Sequence, residues 1–277
     1  MPVSLARLIQ TAQQSFDAAK AAADAISLST SASSTFNESL KYASSRTSAI
    51  RKSMLADEPR YEELQNFKGL KAWGALLAFD LRKSSELATR VSPRDMYLIM
   101  HTYLPTALSV VEQMDGIVVG LRGDGAIVSM GLVDVGAGQR VELEQAEQAI
   151  TAACDCGDAI VKAVQMVVNP VISRGGIKNG EKAVGVGEGA LRVGVGIDVG
   201  EIVATRIGLG GANELTAYGV AVNHCCKRSY GNDMVILTKR AKDMFPTAKG
   251  GRTGFRLYPE KLDDFILRYP EDHHTVE

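Results

Sequence analysis

The run IVVGLRGDGAIVSM, residues 117–130, is the stretch on which the fold turns. Two segments rich in β-branched residues flank a Gly-Asp-Gly step, the composition of a tight hairpin with Asp124 at its tip. On its N-terminal side a helical pattern, broken around Pro93, runs from Arg94 to Met114, and Pro105 predicts a kink in it. Before that helix stands LLAFDLRKSSEL, residues 76–87, where an apolar run ends on an acid. A run without alternation reads as a strand covered on both faces, here over 73–80, so Asp80 stands at a strand end. A desolvated carboxylate is costly. Asp80 is therefore either solvated by the following loop or neutralised by Arg82, Lys83 or a metal ion. The plain alternative is an acid capping the Ser84-Ser85-Glu86 turn into a helix.

On the C-terminal side of the hairpin, Ala146, Ala149, Ile150, Ala153, Gly157, Ile160, Val161 and Val164 recur at helical spacing within 142–168, predicting a long amphipathic helix on the sheet. Cys154 and Cys156 fall inside it as small helix residues. Residues 169–190 are Gly-rich and read as a mobile loop that lacks the ending of a phosphate-binding loop. Residues 191–208 read as two strands around a Val199-Gly200-Glu201 turn, followed by a helix near 220–230 and a strand at 233–238. The order β-α-β-β-α-β predicts a ferredoxin-like α+β core, in which the end of the first strand lies beside the tip of the central hairpin. Residues 67–277 form the main domain. Residues 1–66 read as a helical N-terminal extension suited to dimerisation, with Leu5, Leu8, Ile9 and Ala12 at helical spacing and the polar stretch SLSTSASSTFNES as linker or cap.

With 45% hydrophobic and 23% charged residues, the 277-residue chain has the composition of a globular protein. A net charge of −1 argues against a general nucleic-acid or membrane-surface binder. Cys154-x-Cys156 and the adjacent Cys225-Cys226 match neither a zinc signature nor a disulfide framework, which predicts a reduced, cytoplasmic protein. The sequence has neither the roughly 18 apolar residues of a membrane span nor a secretory cleavage pattern. His101 and His224 lack partners at ligand spacing and read as helix residues. Cys225 and Cys226 read as part of a buried helix face.

The predicted topology brings Asp80 and Asp124 to one edge of the sheet. Two neighbouring carboxylates repel unless a cation lies between them. Mg²⁺ characteristically takes one or two carboxylates and completes its shell with phosphates and water. The backbone amides of Arg82 to Ser85, at a helix start, offer an anion cradle. A metal and triphosphate site is the expectation.

Four segments resemble the motifs of class III nucleotide cyclases. The family's F-x-D-I-x-G-F-T corresponds to Phe79-Asp80-Leu81-Arg82-Lys83-Ser84-Ser85 with Ala78 before it, and its G-D-G to Gly123-Asp124-Gly125. Its T-x-x-G-x-x-V-N corresponds to Thr216-Ala217-Tyr218-Gly219-Val220-Ala221-Val222-Asn223, and Val193 to Glu201 is similar to the preceding strand and turn. The resemblance spans about residues 70–240 and makes the main domain a nucleotide cyclase catalytic domain. It implies that Asp80, Asp124 and the carbonyl of Leu81 hold two divalent ions, Mn²⁺ or Mg²⁺. The implied reaction is attack of a ribose 3′-hydroxyl on the α-phosphorus of a nucleoside triphosphate. Asn223 would orient the ribose. Where the family has a transition-state Arg this chain has Lys227, with Arg228 next, and an ammonium does not reproduce the guanidinium fork. Arg82, Lys83, Ser84 and Ser85 would contact the triphosphate, although Arg82 and Lys83 also read as solvated surface. The family further implies a head-to-tail homodimer with shared active sites.

Base choice in the family rests on two side chains, and here their positions hold Gly120 and Thr216. Gly120 has no side chain to read a purine. That loss, the Leu81-Arg82-Lys83-Ser84-Ser85 form of the first motif and the small chain are similar to the pyrimidine cyclases of bacterial antiphage (Pycsar) systems, with UTP favoured over CTP. Tyr218 or Trp73 would stack on the base, although Trp73 reads first as core. The alternatives are an adenylate or guanylate cyclase, or a degenerate nucleotide-binding regulatory module.

Overall fold

The computed structural model describes residues 2–28, 55, 64, 68–136, 141–209, 212–246, 253–259 and 261–277. Helix α1 (Leu5–Leu28) precedes strand β1 (Gly69–Leu81), the short helix α2 (Ser84–Ala88) and helix α3 (Pro93–Gln113), which contains Pro105. The hairpin β2 (Ile117–Arg122) and β3 (Gly125–Asp134) follows, then helix α4 (Leu143–Ala163), a π-helical turn (Val164–Val168) and α5 (Asn169–Arg174). A small hairpin of β4 (Lys178–Asn179) and β5 (Lys182–Ala183) leads to β6 (Val193–Leu209), β7 (Ala212–Tyr218) and α6 (Val220–Arg228). The chain closes with β8 (Met234–Thr238), α7 (Lys239–Met244), β9 (Gly254–Tyr258) and β10 (Lys261–Arg268).

The sheet order β2-β3-β1-β6, antiparallel throughout, is the predicted ferredoxin-like core; β8, β10 and β9 extend it beyond β6, and β7 pairs with the distal half of β6. Strand β1 lacks alternation because both of its faces are covered. Ala75, Leu77, Phe79 and Leu81 enter a large core with Ile99, Tyr103 and Val110 of α3 and Ile150 and Ala153 of α4. Ala72, Leu76 and Ala78 enter a smaller core with Leu215 and Ala217 of β7 and Ala221, Val222 and Cys225 of α6. Each fully buried large aliphatic or aromatic side chain contributes about 1.5–3 kcal/mol.

Three readings of the sequence need correction. The two strands predicted around Val199-Gly200-Glu201 are one strand, β6, because it pairs with β1 without interruption from Gly69↔Thr205 to Leu81↔Val193, Gly74 facing Gly200. The glycine that reads as a turn instead continues the strand at a φ of 156°, a backbone conformation that residues with a Cβ rarely adopt. Residues 169–190 are not a featureless mobile loop. They form α5, the β4-β5 hairpin and a 3₁₀ turn, with Ile177 and Val184 buried. Asn169 ties the segment down, donating to the Leu191 carbonyl at 3.0 Å and accepting from the Leu191 amide at 2.8 Å. Finally, strands β7, β9 and β10 carry no sequence expectation and are all present.

Helix α1 lays Leu8, Ala12, Phe16 and Ala19 into the large core of its own chain. Val3 and Val276 form a parallel bridge in which the Val3 amide donates to Thr275 O at 2.8 Å and the Glu277 amide to Val3 O at 2.8 Å. The polar stretch from Ser29 onward, and the boundary at 66/67, lie outside the described residues. No helix among the described residues is long and apolar enough to cross a membrane.

The packing of the hairpin on β1 is tightest at Gly125, where a methyl would stand 2.0 Å from the Phe79 carbonyl oxygen. Gly125→Ala is expected to destabilise the fold by about 3 kcal/mol, the upper end for overpacking against backbone, measured as a lowered urea midpoint at unchanged m-value.

Candidate active site

The close approach of Gly125 sets the chemistry of the sheet edge. Asp80 pairs with Gly125 on one side and Gly194 on the other, and the Leu81 amide donates to the Asp124 carbonyl at 3.3 Å. The two-residue connection Gly123-Asp124 has no freedom to swing away, so the carboxylates of Asp80 and Asp124 meet. Burial, then the Asp124 charge and a hydrogen bond shared with it, push the Asp80 carboxyl up to about 6, and Arg82 opposes the shift. Behind the pair, Tyr103 is fully buried; its hydroxyl has no hydrogen-bond partner among the described residues, and burial followed by the charges of Asp80 and Asp124 raises its pKa well above the ordinary value.

These residues fit a hard divalent ion. Two carboxylates in contact with one guanidinium beside them lack a counter-charge, and among the described residues no group of three or more His, Cys, Asp or Glu side chains forms a closed metal cage. A pair of carboxylates left open for phosphate and water is a Mg²⁺-like or Mn²⁺-like donor set rather than a structural zinc site.

Arg82 turns back into its own chain: Nη1 lies 3.3 Å from Asp80 Oδ2 and donates to the Ser229 carbonyl at 3.1 Å. Its backbone amide is bound to Arg192 O at 2.8 Å, so the expected anion cradle over Arg82 to Ser85 lacks its first donor. Lys83 caps the five-residue α2 in a left-handed conformation, with its Nζ 3.9 Å from Glu86. Ser84 is half-buried and Ser85 exposed.

The other predicted residues fall on β7, β2, α6 and β1. On β7, Leu215 and Ala217 point into the smaller core beside Val119 of β2, so Thr216 and Tyr218 project from the opposite side, Tyr218 being 51% exposed. Gly120 follows a β-bulge between Val118 and Gly120, and a Cβ built on it meets nothing within 4 Å. Asn223 and Lys227 are exposed one turn apart on α6, and among the described residues Lys227 has no ion-pair partner. Arg228 is committed elsewhere: its Nε lies 2.7 Å from Asp264 Oδ1 of β10, off the line of an aligned hydrogen bond, in a nearly buried ion pair. Trp73 is a core residue, 8% exposed and paired with Val133 and Glu201, far along β1 from Asp80. Tyr218 is the aromatic left for a base.

Cys225 is buried but Cys226 is exposed, correcting the expectation of a common buried face. A hydrogen bond from Cys225, and secondarily the Arg122 charge, bring the Cys226 thiol down to about 7. Sequence reading missed Asp198, which is fully buried against His224, Thr238 and Arg240. The available signal was a lone acid inside the apolar run VGVGIDVG.

No protein-family model and no curated protein matches the chain. Solved structures do. The adenylyl cyclase CyaB from P. aeruginosa aligns with a TM-score of 0.57 at 13% identity, covering 74% of this chain and 98% of that one. The guanylyl cyclase Cya2 aligns with a TM-score of 0.52 at 18% identity, over 73% and 92% of the two chains. The guanylate cyclase domain of RhGC from Catenaria anguillulae, in complex with GTP, gives 0.53 at 12% identity, over 73% and 98%. The chain thus has the fold of the class III cyclase domains.

The raised pKa of Asp80 has a definite sign. The folded state holds this proton up to about 6 while the unfolded chain releases it near 3.8. Its contribution to stability is therefore full below about 4, falls as pH rises to about 6 and stays low above. Asp80→Asn should be more stable than the parent at pH 7, by about 1 kcal/mol once solvent screening of this partly exposed group is allowed for, and equal to it at pH 4. Thermal melts across pH 4–8 check this.

Proposed function

We propose that this chain is a metal-dependent nucleotide cyclase, a lyase that converts a pyrimidine nucleoside triphosphate, UTP foremost, into its 3′,5′-cyclic monophosphate and pyrophosphate. The observation that carries the reading is the contact of Asp80 with Asp124 at the edge of a cyclase-like sheet. Asp80, Asp124 and the Leu81 carbonyl hold two divalent ions, Mn²⁺ or Mg²⁺. Such ions, when bound, make the ribose 3′-hydroxyl more acidic and neutralise charge on the phosphates.

The protein's own residues bind and orient. Asn223 accepts or donates at the ribose. Lys227 supplies the cation facing the triphosphate, because Arg228 is held by Asp264. Lys83, Ser84 and Ser85 reach the phosphates from the turn after β1, while Arg82 holds Asp80 against the Ser229 carbonyl. Thr216 and Tyr218 meet the base. The open space at Gly120 supports a base pocket without a purine-reading side chain, since specificity depends on buried polar groups that must be matched.

The site is shared in a head-to-tail homodimer. Supporting this, the outer side of the β6-β7 ribbon and the start of α6 expose Val203, Ile207, Tyr218 and Val220 at 41–59%, an apolar patch of the kind that marks an interface. The 67–277 domain is the catalytic unit, and α1 of the N-terminal extension packs into its core. By resemblance to the Pycsar enzymes, the product serves as a cytoplasmic alarm signal in antiphage defence.

Incubation with Mn²⁺ and all four triphosphates at equal concentration, with product identification, is the direct test. Cyclic UMP should dominate; predominant cyclic AMP or cyclic GMP overturns the pyrimidine reading, and no cyclic product overturns the cyclase reading. Gly120→Lys should lower pyrimidine turnover at least tenfold, about 1.4 kcal/mol in the barrier, by placing a charge in the base pocket. In a separate experiment, inactive Asp80→Ala and inactive Asn223→Ala chains should regain activity on mixing, because one site of the heterodimer collects both lesions and the other has none.

A further inference from the structure

The carboxylate of Asp198 on β6 is 0% exposed, and three other elements converge on it. Oδ1 accepts from the Val199 amide at 2.9 Å, from Thr238 Oγ1 at 2.6 Å and from Arg240 Nε at 3.2 Å. Oδ2 takes Arg240 Nη2 at 2.5 Å and His224 Nδ1 at 3.0 Å. Thr238 in turn caps α7, accepting from the Ala241 amide at 3.0 Å. One side chain thus joins β6, the β8-α7 junction and α6.

Asp198 is wholly buried while its partners Arg240 and His224 stay about half exposed, and a buried carboxylate is a poor device for stability alone, because its desolvation offsets much of the Coulomb gain. What the cluster does provide is direction. His224 follows Asn223 and lies just under one turn before Lys227, so a fixed His224 ring fixes the rotation and height of α6 over the sheet.

We propose that Asp198 is a positioning residue for the cyclase site, acting through His224 to aim Asn223 and Lys227 at the triphosphate, with Arg240 balancing its charge. The inference rests on the shared-site reading above. It predicts that Asp198 belongs genetically to the α6 half of the site and not to the carboxylate half, although it lies on the strand paired with β1.

Complementation between inactive chains decides this. Asp198→Asn should remain folded with a lowered melting temperature, because its amide nitrogen meets donors and Arg240 loses its counter-charge, and should lose at least tenfold in turnover. Mixed with Asp80→Ala it should recover to the level of the Asp80→Ala and Asn223→Ala mixture; mixed with Asn223→Ala it should not recover. Should Asp198→Asn fail to fold, His224→Ala leaves the carboxylate, Arg240 and Thr238 in place and should show the same pattern. His224→Asn, whose amide can stand where Nδ1 stands, should restore activity. Full activity in Asp198→Asn and His224→Ala overturns the inference, as does recovery with Asn223→Ala instead of Asp80→Ala, or recovery with neither. If Asp80→Ala and Asn223→Ala exchange subunits without regaining activity, the shared-site reading falls first and takes the inference with it.

Discussion

The steric contact between Gly125 and the carbonyl of Phe79 is the constraint on which the rest of the molecule depends. Only a residue without a Cβ lets the hairpin close onto the end of β1, and only that closure puts Asp124 beside Asp80. Once both are ionised, the two acids repel each other. They are held together by a thirteen-residue strand hydrogen-bonded on both sides and by two cores that oppose any retreat of the sheet edge. Packing thus overrides electrostatics at this edge, and the resulting repulsion is what a cation between the two carboxylates would relieve.

Two buried or half-buried aspartates show how environment sets role. Asp198 is surrounded by donors: an amide, a hydroxyl, a guanidinium and an imidazole. Asp80 has one guanidinium at 3.3 Å and a second carboxylate. The first is satisfied by its own chain and serves as a fixed point. The second is left wanting a partner, which is the state expected of a group reserved for something outside the chain.

The parts legible in the sequence are those governed by local pattern. The double-sided burial of β1, the Gly-Asp-Gly hairpin, the long α4 and the meeting of Asp80 with Asp124 follow from periodicity and from one topological rule. Errors arose where a residue's meaning depends on a distant neighbour. Gly200 reads as a turn because glycine in isolation usually is one, yet here it faces Gly74 inside a continuous strand, at a φ that residues with a Cβ rarely adopt. Arg228 reads as a candidate transition-state cation beside Lys227 until Asp264, on a strand without a sequence expectation, is found against it. The glycines of 169–190 suggest mobility, but the buried exchange of two hydrogen bonds between Asn169 and Leu191 fixes the ends of the segment. Cys225 and Cys226 differ in exposure because one residue on a helix is a rotation of about 100°.

The bulge at Val118 to Gly120 lies in β2, which is an edge strand of the sheet. An edge ladder with regular spacing is a template onto which a stray strand from another chain can add, the first step of aggregation. The irregularity that leaves open space above Gly120 also breaks the repeat of donors and acceptors along that border. At the opposite border β9 is only five residues long. A protein whose proposed partner docks through an apolar face thereby makes the β2 border a poorer template for strand addition than an unbroken strand would be.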